Sequence, residues 1–345
     1  MLESLLQKSN NKMPFQFTRY LYAADDVRAA LTISILNKAD EAALFWAYEL
    51  FHSEYDLMGF FWKLYYDFYA TLNPAFEKYL LTKFKFGMTE PKLVATIVGN
   101  FVIRPHNMDI FLLRNLPPKE NVADLASTDY CATATAVMNG QVTLEQVLGH
   151  YAVQGVKKVV ADFKKQTDIV APNLLLLTRI MQYESKLKKL KMGKNMYIQI
   201  EDADVEPYAT LRLDKPRKIL STVGLRDIDE HKSISLFGLA RDTADIVKAY
   251  RDDWLYAASF SPLWRARIMA NNGTIDDDKK EVTFECDDDL EQFYEKHGLE
   301  PDEQRLEIQQ KSTGGAISQD ATWHKFYSKN GLVKENEQGL GKVAY

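Results

Sequence analysis

Six histidines and two cysteines are the residues best suited to bind a metal or act as nucleophiles, but their spacing fits neither role. The zinc-binding motifs HExxH and CxxC are both absent. The phosphate-binding loops GxxxxGK[ST] and GxGxxG and the nucleophile motif GxSxG are absent too. We therefore predict that the chain is not an enzyme and has no catalytic or cofactor-binding residues. The residues considered are His52, His106, His150, His231, His297, His324, Cys131 and Cys286.

Two runs of three aspartates, Asp276–Asp278 and Asp287–Asp289, are the other groups able to hold a divalent cation. They lack the alternating ligands and the central glycine of an EF-hand loop. Carboxylates are favoured in solvated turns and at helix N-termini, because the helix dipole is positive there. We expect turns and helix starts at these runs, and no metal or cofactor.

Basic and acidic residues are segregated along the chain. Residues 151–226 carry a net charge of +7, from 15 Lys and Arg against 8 Asp and Glu. Residues 276–310 carry a net charge of −10, from 4 Lys and Arg against 14 Asp and Glu. The favoured explanation of the basic segment is a solvated helix end, where the dipole stabilises cations. Another explanation is that the basic and acidic segments pair with each other within the molecule.

A third explanation is an RNA- or DNA-binding patch within the basic segment 157–218, which would contact phosphates. The residues predicted to bind nucleic acid in that case are Lys186, Lys188, Lys189, Lys191, Lys194, Arg217 and Lys218.

The segment from Tyr250 to Leu255 resembles the Tyr-x4-Leu motif with which translation scaffolds bind the cap-binding initiation factor. Tyr256 stands where such peptides usually carry Leu, Met or Phe. Tyr250, Trp254 and Leu255 are therefore candidate partner-binding residues. The same spacing arises on many amphipathic helices, where Tyr250, Trp254 and Ala257 would face a core, and this interpretation is favoured.

A short internal repeat relates residues 290–299 to residues 323–332, with an offset of 33 positions. Each copy predicts a short helix that ends at a glycine followed by leucine, as in a Schellman cap. Two helices that pack onto the main body are the favoured explanation, and a pair of partner-binding helices is the alternative. The candidate residues are Phe293, Tyr294, Phe326 and Tyr327.

Apolar periodicity predicts a run of helices in the first hundred residues. Asp25 and Asp26 are expected to cap a helix that ends near Asn37, and Asp40 to open the next. Asn73–Pro74 is expected to cap a later helix that Gly87 ends.

Two further helix predictions complete this region. Glu90–Pro91 is expected to begin a helix that runs through Phe101. Six large side chains are spaced to lie on one face of the helix from residue 56 to 72. They are Leu57, Phe60, Phe61, Leu64, Tyr65 and Phe68.

The predicted fold is mainly α-helical: stacked antiparallel helices in an array, with a HEAT-like arrangement as one form of it, and a small strand or hairpin insertion near 195–215. Whether the helices form a bundle or a solenoid stays open. The predicted domains are an N-terminal helical array over 14–104, a connector over 105–142, a second helical region over 143–275, and a charged tail over 276–345.

Composition fits a globular protein, with 46% hydrophobic and 12% aromatic residues. No apolar run is long enough to span a membrane, the N-terminus does not resemble a secretory signal, and two distant cysteines suggest a reducing compartment. We therefore expect no membrane association and no secretion.

Residues 17–80 resemble an uncharacterised protein family of the nucleocytoplasmic large DNA viruses, the giant viruses. The core of the match is ALFWAYEL, preceded by SILNK. The resemblance implies a viral origin and action in the cytoplasm of an infected cell, in the viral factory, or inside the virion. It carries no catalytic residues.

The expected function is that of a non-catalytic helical scaffold or adaptor that binds protein partners in viral gene expression, either transcription or translation. Alternatives are an RNA- or DNA-binding module, a translation-initiation scaffold for a cap-binding factor, and a component of virion assembly. The sequence does not set the oligomeric state.

Overall fold

A computed structural model describes residues 16–19, 21–107, 110–111 and 254–297, the positions 146, 197–198, 200–201, 203 and 205, and the strands 333–336 and 339–343. This part is rich in helix, with small two-stranded antiparallel sheets, so the mainly α-helical class is confirmed for the described residues. Most of the predicted connector over 105–142, and the second helical region up to residue 253, lie outside the described residues apart from the positions given.

The N-terminal helices follow one another with short connections. They are α1 (Ala24–Leu36), α2 (Asp40–Phe51), α3 (Leu57–Leu64), a π-helical turn (Tyr65–Tyr69), α4 (Phe76–Lys83) with a 3₁₀ turn (Phe84–Phe86), and α5 (Pro91–Val102). As predicted, Asp40 opens α2, Pro91 is the first residue of α5, and Gly87 follows the end of the α4 segment.

The predicted cap of α1 is wrong. The residue at the N-cap position is Ala23, which makes no side-chain cap hydrogen bond. The Ala24 N–H donates instead to the backbone oxygen of Gln16, at 2.9 Å, and Ala23 pairs with Phe17 in an isolated β-bridge. Pairing with the preceding segment therefore sets the start of α1, and Asp25 and Asp26 fall in its first turn.

The predicted cap of α4 is also wrong. The helix starts at Phe76, and Ala75 occupies the N-cap position. The Asn73 side-chain amide donates to the Tyr69 carbonyl at 2.9 Å and to the Pro105 carbonyl at 2.8 Å. Asn73 thus satisfies carbonyls of the preceding π-helical turn and of the chain after α5.

The main core lies between α1–α5 and is dominated by aromatic rings. Of the six side chains predicted on one face, Phe60 is partly buried and the other five are buried. Every residue from Leu64 to Thr71 is buried as well. This stretch contains the π-helical turn, in which Ala70 N–H donates to the Tyr65 oxygen five residues back and shifts the helical register. Both faces of this helix are therefore packed.

A second core lies in the C-terminal part, formed by α6 (Trp254–Ser259), α7 (Pro262–Ala270), strands β1 (Gly273–Asp276) and β2 (Glu281–Phe284), and α8 (Asp287–His297). The strands pair antiparallel, with Gly273 opposite Phe284. Trp254, Trp264, Ile268 and Phe293 are buried there.

Most of the hairpin predicted near 195–215 lies outside the described residues. The described residues between 195 and 215 are not in a strand, whereas β1 and β2 form a hairpin at 273–284. The predicted domain boundary between 275 and 276 falls inside β1. A further antiparallel pair joins β3 (Val333–Asn336) to β4 (Gly339–Val343).

The aspartate runs occupy the expected positions. Asp276 accepts hydrogen bonds from the backbone N–H groups of Asp278 and Lys279, at 3.0 and 2.9 Å, which closes the β1–β2 turn. The run Asp287–Asp289 forms the first turn of α8.

Candidate binding groove and exposed aromatic surface

The π-helical turn positions the chain that leaves α5. Asn107 N–H donates to the Phe68 oxygen at 2.9 Å, and the Thr71 hydroxyl donates to Asn107 Oδ1 at 3.0 Å. Together with the bond from Asn73 to Pro105, these contacts fix residues 104–107 against the end of the turn. Arg104 is thereby held at the C-terminal end of α5.

The Arg104 side chain is buried among aromatic rings, with 1% of its surface exposed. Its guanidinium carbon lies 3.9 Å from the ring centroid of Phe76 and 5.0 Å from that of Tyr197, which are cation–π distances. Burial lowers the pKa of Arg104 to about 10, while the nearby hydroxyls of Tyr197 and Tyr79 oppose this shift. Arg104 stays charged at neutral pH.

Arg104 sets the orientation of the Asn100 amide. Its Nη1 donates to Asn100 Oδ1 at 3.0 Å and also to the Asn100 backbone oxygen. Because a guanidinium can only donate hydrogen bonds, the amide oxygen must face it. The Asn100 Nδ2 group then points the other way and donates to the Thr96 oxygen at 2.8 Å.

With this orientation, Asn100 binds the backbone of a segment 98 positions away. Its Nδ2 donates to the Ile198 oxygen at 2.9 Å, and its Oδ1 accepts from the Ile198 N–H at 3.1 Å. One side chain thus satisfies both backbone groups of one residue, as a neighbouring β-strand would.

Aromatic and aliphatic contacts flank this pair of hydrogen bonds. The Tyr197 ring stacks on Tyr79, with 4.2 Å between centroids and 21° between planes. Ile198 and Ile200 lie over Gly99, with side-chain atoms 3.6–3.9 Å from where its Cβ would be. Val205 is buried in the main core. We call the surface of Tyr79, Gly99, Asn100 and Arg104 the α4–α5 groove.

An exposed aromatic ring lies near the groove. Phe86 ends the 3₁₀ turn with 82% of its surface exposed, whereas Phe84, two positions earlier, is 6% exposed. Lys85 Nζ lies 5.4 Å from the Phe86 ring centroid, and Lys83 Nζ lies 5.6 Å from that of the groove residue Tyr79. Phe86, Lys83 and Lys85 therefore form an aromatic and basic surface anchored by a buried neighbour.

A buried ion pair holds the segment before α1. Arg19 Nε lies 2.7 Å from Glu49 Oε1, with side-chain exposures of 4% and 0%. The Thr18 hydroxyl donates to the other carboxylate oxygen of Glu49 at 2.9 Å. Burial and the charge of Arg19 lower the pKa of the nearby His52 to about 4.

Four candidate partner-binding residues are described, and all pack in or against the second core. Trp254 and Phe293 are buried, with 4% and 0% of their surface exposed. Leu255 and Tyr294 are partly buried against the same cluster. The burial of Trp254 agrees with the core-facing helix favoured for its segment, and the burial of Phe293 agrees with the packed helix favoured for the repeat. Docking through Leu255 would require that packing to open.

The other predicted site residues lie outside the described residues, and their proposed roles stay predictions. They are Tyr250, Phe326, Tyr327, Lys186, Lys188, Lys189, Lys191, Lys194, Arg217 and Lys218.

Within the described residues, no group of three or more His, Cys, Asp or Glu side chains is arranged to hold a metal ion. In the same part of the chain, no helix combines the length and the apolarity needed to cross a membrane.

The groove and the exposed ring were both missed from the sequence. Asn100 and Arg104 lie in and just after an apolar helix, where nothing local links them to Tyr197. The alternation Lys83-Phe84-Lys85-Phe86 at the end of a predicted helix is a usable signal, because residues two positions apart in a helix point to nearly opposite sides, so Phe84 and Phe86 cannot both face one core.

Comparison with known proteins gives no match: no protein family, no curated protein and no solved structure matches the chain.

Proposed function

We propose that this protein is a non-catalytic helical scaffold or adaptor that binds protein partners. Its helices would stack in an antiparallel, HEAT-like array, and it would serve viral gene expression in an infected cell. The viral setting rests on the resemblance of residues 17–80 to a giant-virus family. The observation that carries the binding role is the exposed ring of Phe86 on a rigid support.

The environment of Phe86 suits a protein contact. Aromatic side chains are enriched among the residues that dominate interface energies, since they bury a large area with few rotatable bonds. Phe86 is held at the end of a 3₁₀ turn whose Phe84 is buried, so little conformational freedom would be lost on binding. Lys83 and Lys85 favour a partner with an apolar pocket and an acidic rim.

The test is affinity purification of the tagged full chain from infected cells, with and without nuclease, followed by mass spectrometry. We compare the unmodified chain with Phe86→Ser and with Met269→Ser. Met269 is a matched control, because it is also apolar and exposed, at 65%, but lies on α7. Neither substitution removes a buried contact, so both variants should fold.

The expected result is a nuclease-resistant partner that Phe86→Ser loses at least tenfold and Met269→Ser keeps. A partner retained equally by both variants would show that the Phe86 surface is not used. Absence of any nuclease-resistant partner would overturn the scaffold function.

Nucleic-acid binding is the second candidate, and the same surface favours it. Single-stranded RNA or DNA is bound by aromatic rings that stack on bases and by lysines that contact phosphates, which is the combination of Phe86, Lys83 and Lys85. The nuclease arm separates the two candidates. If the protein binds nucleic acid, RNA or DNA is recovered with it. The affinity of the protein for that nucleic acid then falls steeply as the salt concentration rises, and Phe86→Ser weakens the binding.

A further inference from the structure

We propose that the α4–α5 groove is a peptide-binding site for a partner segment of the pattern tyrosine–aliphatic–any–aliphatic, and that Tyr197, Ile198 and Ile200 of this chain occupy it in cis. The observation that carries this inference is the double hydrogen bond between the Asn100 amide and the backbone of Ile198. This inference does not depend on the surface around Phe86.

The double hydrogen bond recognises an extended backbone and not a particular side chain. The bound residue must offer its own N–H and C=O to Asn100 together, as residues in added β-strands do. Proline is excluded at this position because it lacks the N–H. Arg104 acts as the positioning residue, since its bond to Asn100 Oδ1 fixes which end of the amide accepts.

The neighbouring contacts select the side chains. The residue before the bound backbone enters between Tyr79, which stacks on it, and the Arg104 guanidinium. A tyrosine suits this slot because its ring meets a cation and its hydroxyl also bonds Arg104. The two aliphatic positions, filled here by Ile198 and Ile200, lie over Gly99, with side-chain atoms 3.6–3.9 Å from where a Cβ would stand.

The three residues that occupy the groove are less buried than the core around them. Tyr197, Ile198 and Ile200 are each only partly buried, in contrast to the fully buried core rings of Phe76 and Phe101. Segments with few buried apolar contacts are the first to open in native proteins. A partner peptide with the same pattern can therefore compete, and the chain's own segment lowers its apparent affinity.

The experiment measures binding of a fluorescent peptide with the sequence of residues 194–207 to the full chain by anisotropy. The chain is used unmodified and with the cis segment weakened by Tyr197→Ala or, more mildly, by Ile200→Ala. We expect both variants to bind the peptide, with Tyr197→Ala at least tenfold tighter than the unmodified chain. Equal binding to all three chains, or binding to none, overturns the proposal.

Peptide variants provide the specificity control. A peptide with Tyr197→Ala, and one with Ile198→Pro, should each bind the weakened chain at least tenfold less tightly. A peptide with Ala203→Ser should bind unchanged, since Ala203 is exposed. If all four peptides bind alike, the groove is not the site. If both chain variants lose their helical circular dichroism, the segment is an indispensable part of the core and the proposal is overturned.

Discussion

The indole N–H of Trp264 donates a 3.0 Å hydrogen bond to the backbone carbonyl of Arg19, 245 positions earlier in the chain. On its other side, Arg19 is bound to α2 and to the turn that follows it: its side chain pairs with Glu49 of α2, and its backbone N–H donates to Ser53 Oγ at 3.1 Å. Phe17 adds a second link, because its N–H donates to the Ala257 oxygen at 2.9 Å. The turn before α1 therefore connects the main core to the second core.

Replacing Trp264 by phenylalanine should test this connection. The substitution keeps an aromatic ring but leaves the buried Arg19 carbonyl without the indole donor. The matched control is Trp46→Phe, because Trp46 is also fully buried and its indole N–H has no acceptor among the described residues. Both changes lose similar packing. We expect Trp264→Phe to lower the free energy of unfolding by about 1 kcal/mol more than Trp46→Phe.

Urea unfolding followed by far-ultraviolet circular dichroism measures this difference. Equal losses in the two variants would mean that the Trp264–Arg19 bond contributes nothing to stability.

The buried Arg19–Glu49 pair gives a second prediction. Glu49→Leu removes the carboxylate that faces the Arg19 guanidinium, and leaving a buried charge without its counter-ion costs about 3–5 kcal/mol. Adding Arg19→Met removes the remaining charge, so the double variant should recover most of that loss. Thermal unfolding of the two single variants and the double variant measures the coupling. If the double variant loses the sum of the stability losses of the two single variants, Arg19 and Glu49 are not coupled and the prediction is wrong.

The sequence was informative where an element depends on its own residues. Asp40 and Pro91 mark helix starts correctly, because an acidic first turn and a proline at the first position stabilise a helix whatever it packs against. Gly87 also marks an end correctly, since its φ of +82° is unfavourable for residues with a side chain.

The features that the sequence did not predict depend on residues distant in the chain or on tertiary packing. The start of α1 is set by pairing of Ala23 and Ala24 with residues 16–17, which no local pattern records. The groove exists because Asn100 meets Ile198, and the sequence separation of 98 positions hides that contact. The π-helical turn likewise lies where residues 64–71 are packed on all sides, which departs from the single-face pattern predicted for this helix.

Two glycines should respond in opposite ways to alanine. Gly87 has a left-handed backbone, so Gly87→Ala should lower the free energy of unfolding by about 1 kcal/mol. Gly99 lies inside α5 with ordinary helical geometry, and a Cβ there would meet its nearest neighbour at 3.6 Å, which is a normal contact. Gly99→Ala should therefore raise the free energy of unfolding by about 0.5–1 kcal/mol, because alanine has the higher helix propensity. Parallel urea titrations decide this, and a shift of the same sign in both variants would contradict it.

Stability should fall on acidification, partly through His52. In the folded chain its pKa is lowered from 6.5 to about 4, first by burial and second by the charge of Arg19. Above about pH 6.5 the imidazole is neutral in both folded and unfolded chains. Between 6.5 and 4 the unfolded chain binds a proton that the folded chain does not, so the free energy of unfolding decreases as the pH falls.

The variant His52→Gln isolates this contribution. His106 and His297 also have lowered pKa values from burial, so the variant should keep part of the pH dependence. Because His52 is partly exposed, we expect its share to be about 1 kcal/mol. Urea unfolding of both chains at pH 7 and pH 4.5 measures it. Between pH 7 and pH 4.5 the free energy of unfolding should decrease by about 1 kcal/mol less in His52→Gln than in the unmodified chain. An identical decrease in both chains would show that His52 does not titrate as its environment requires.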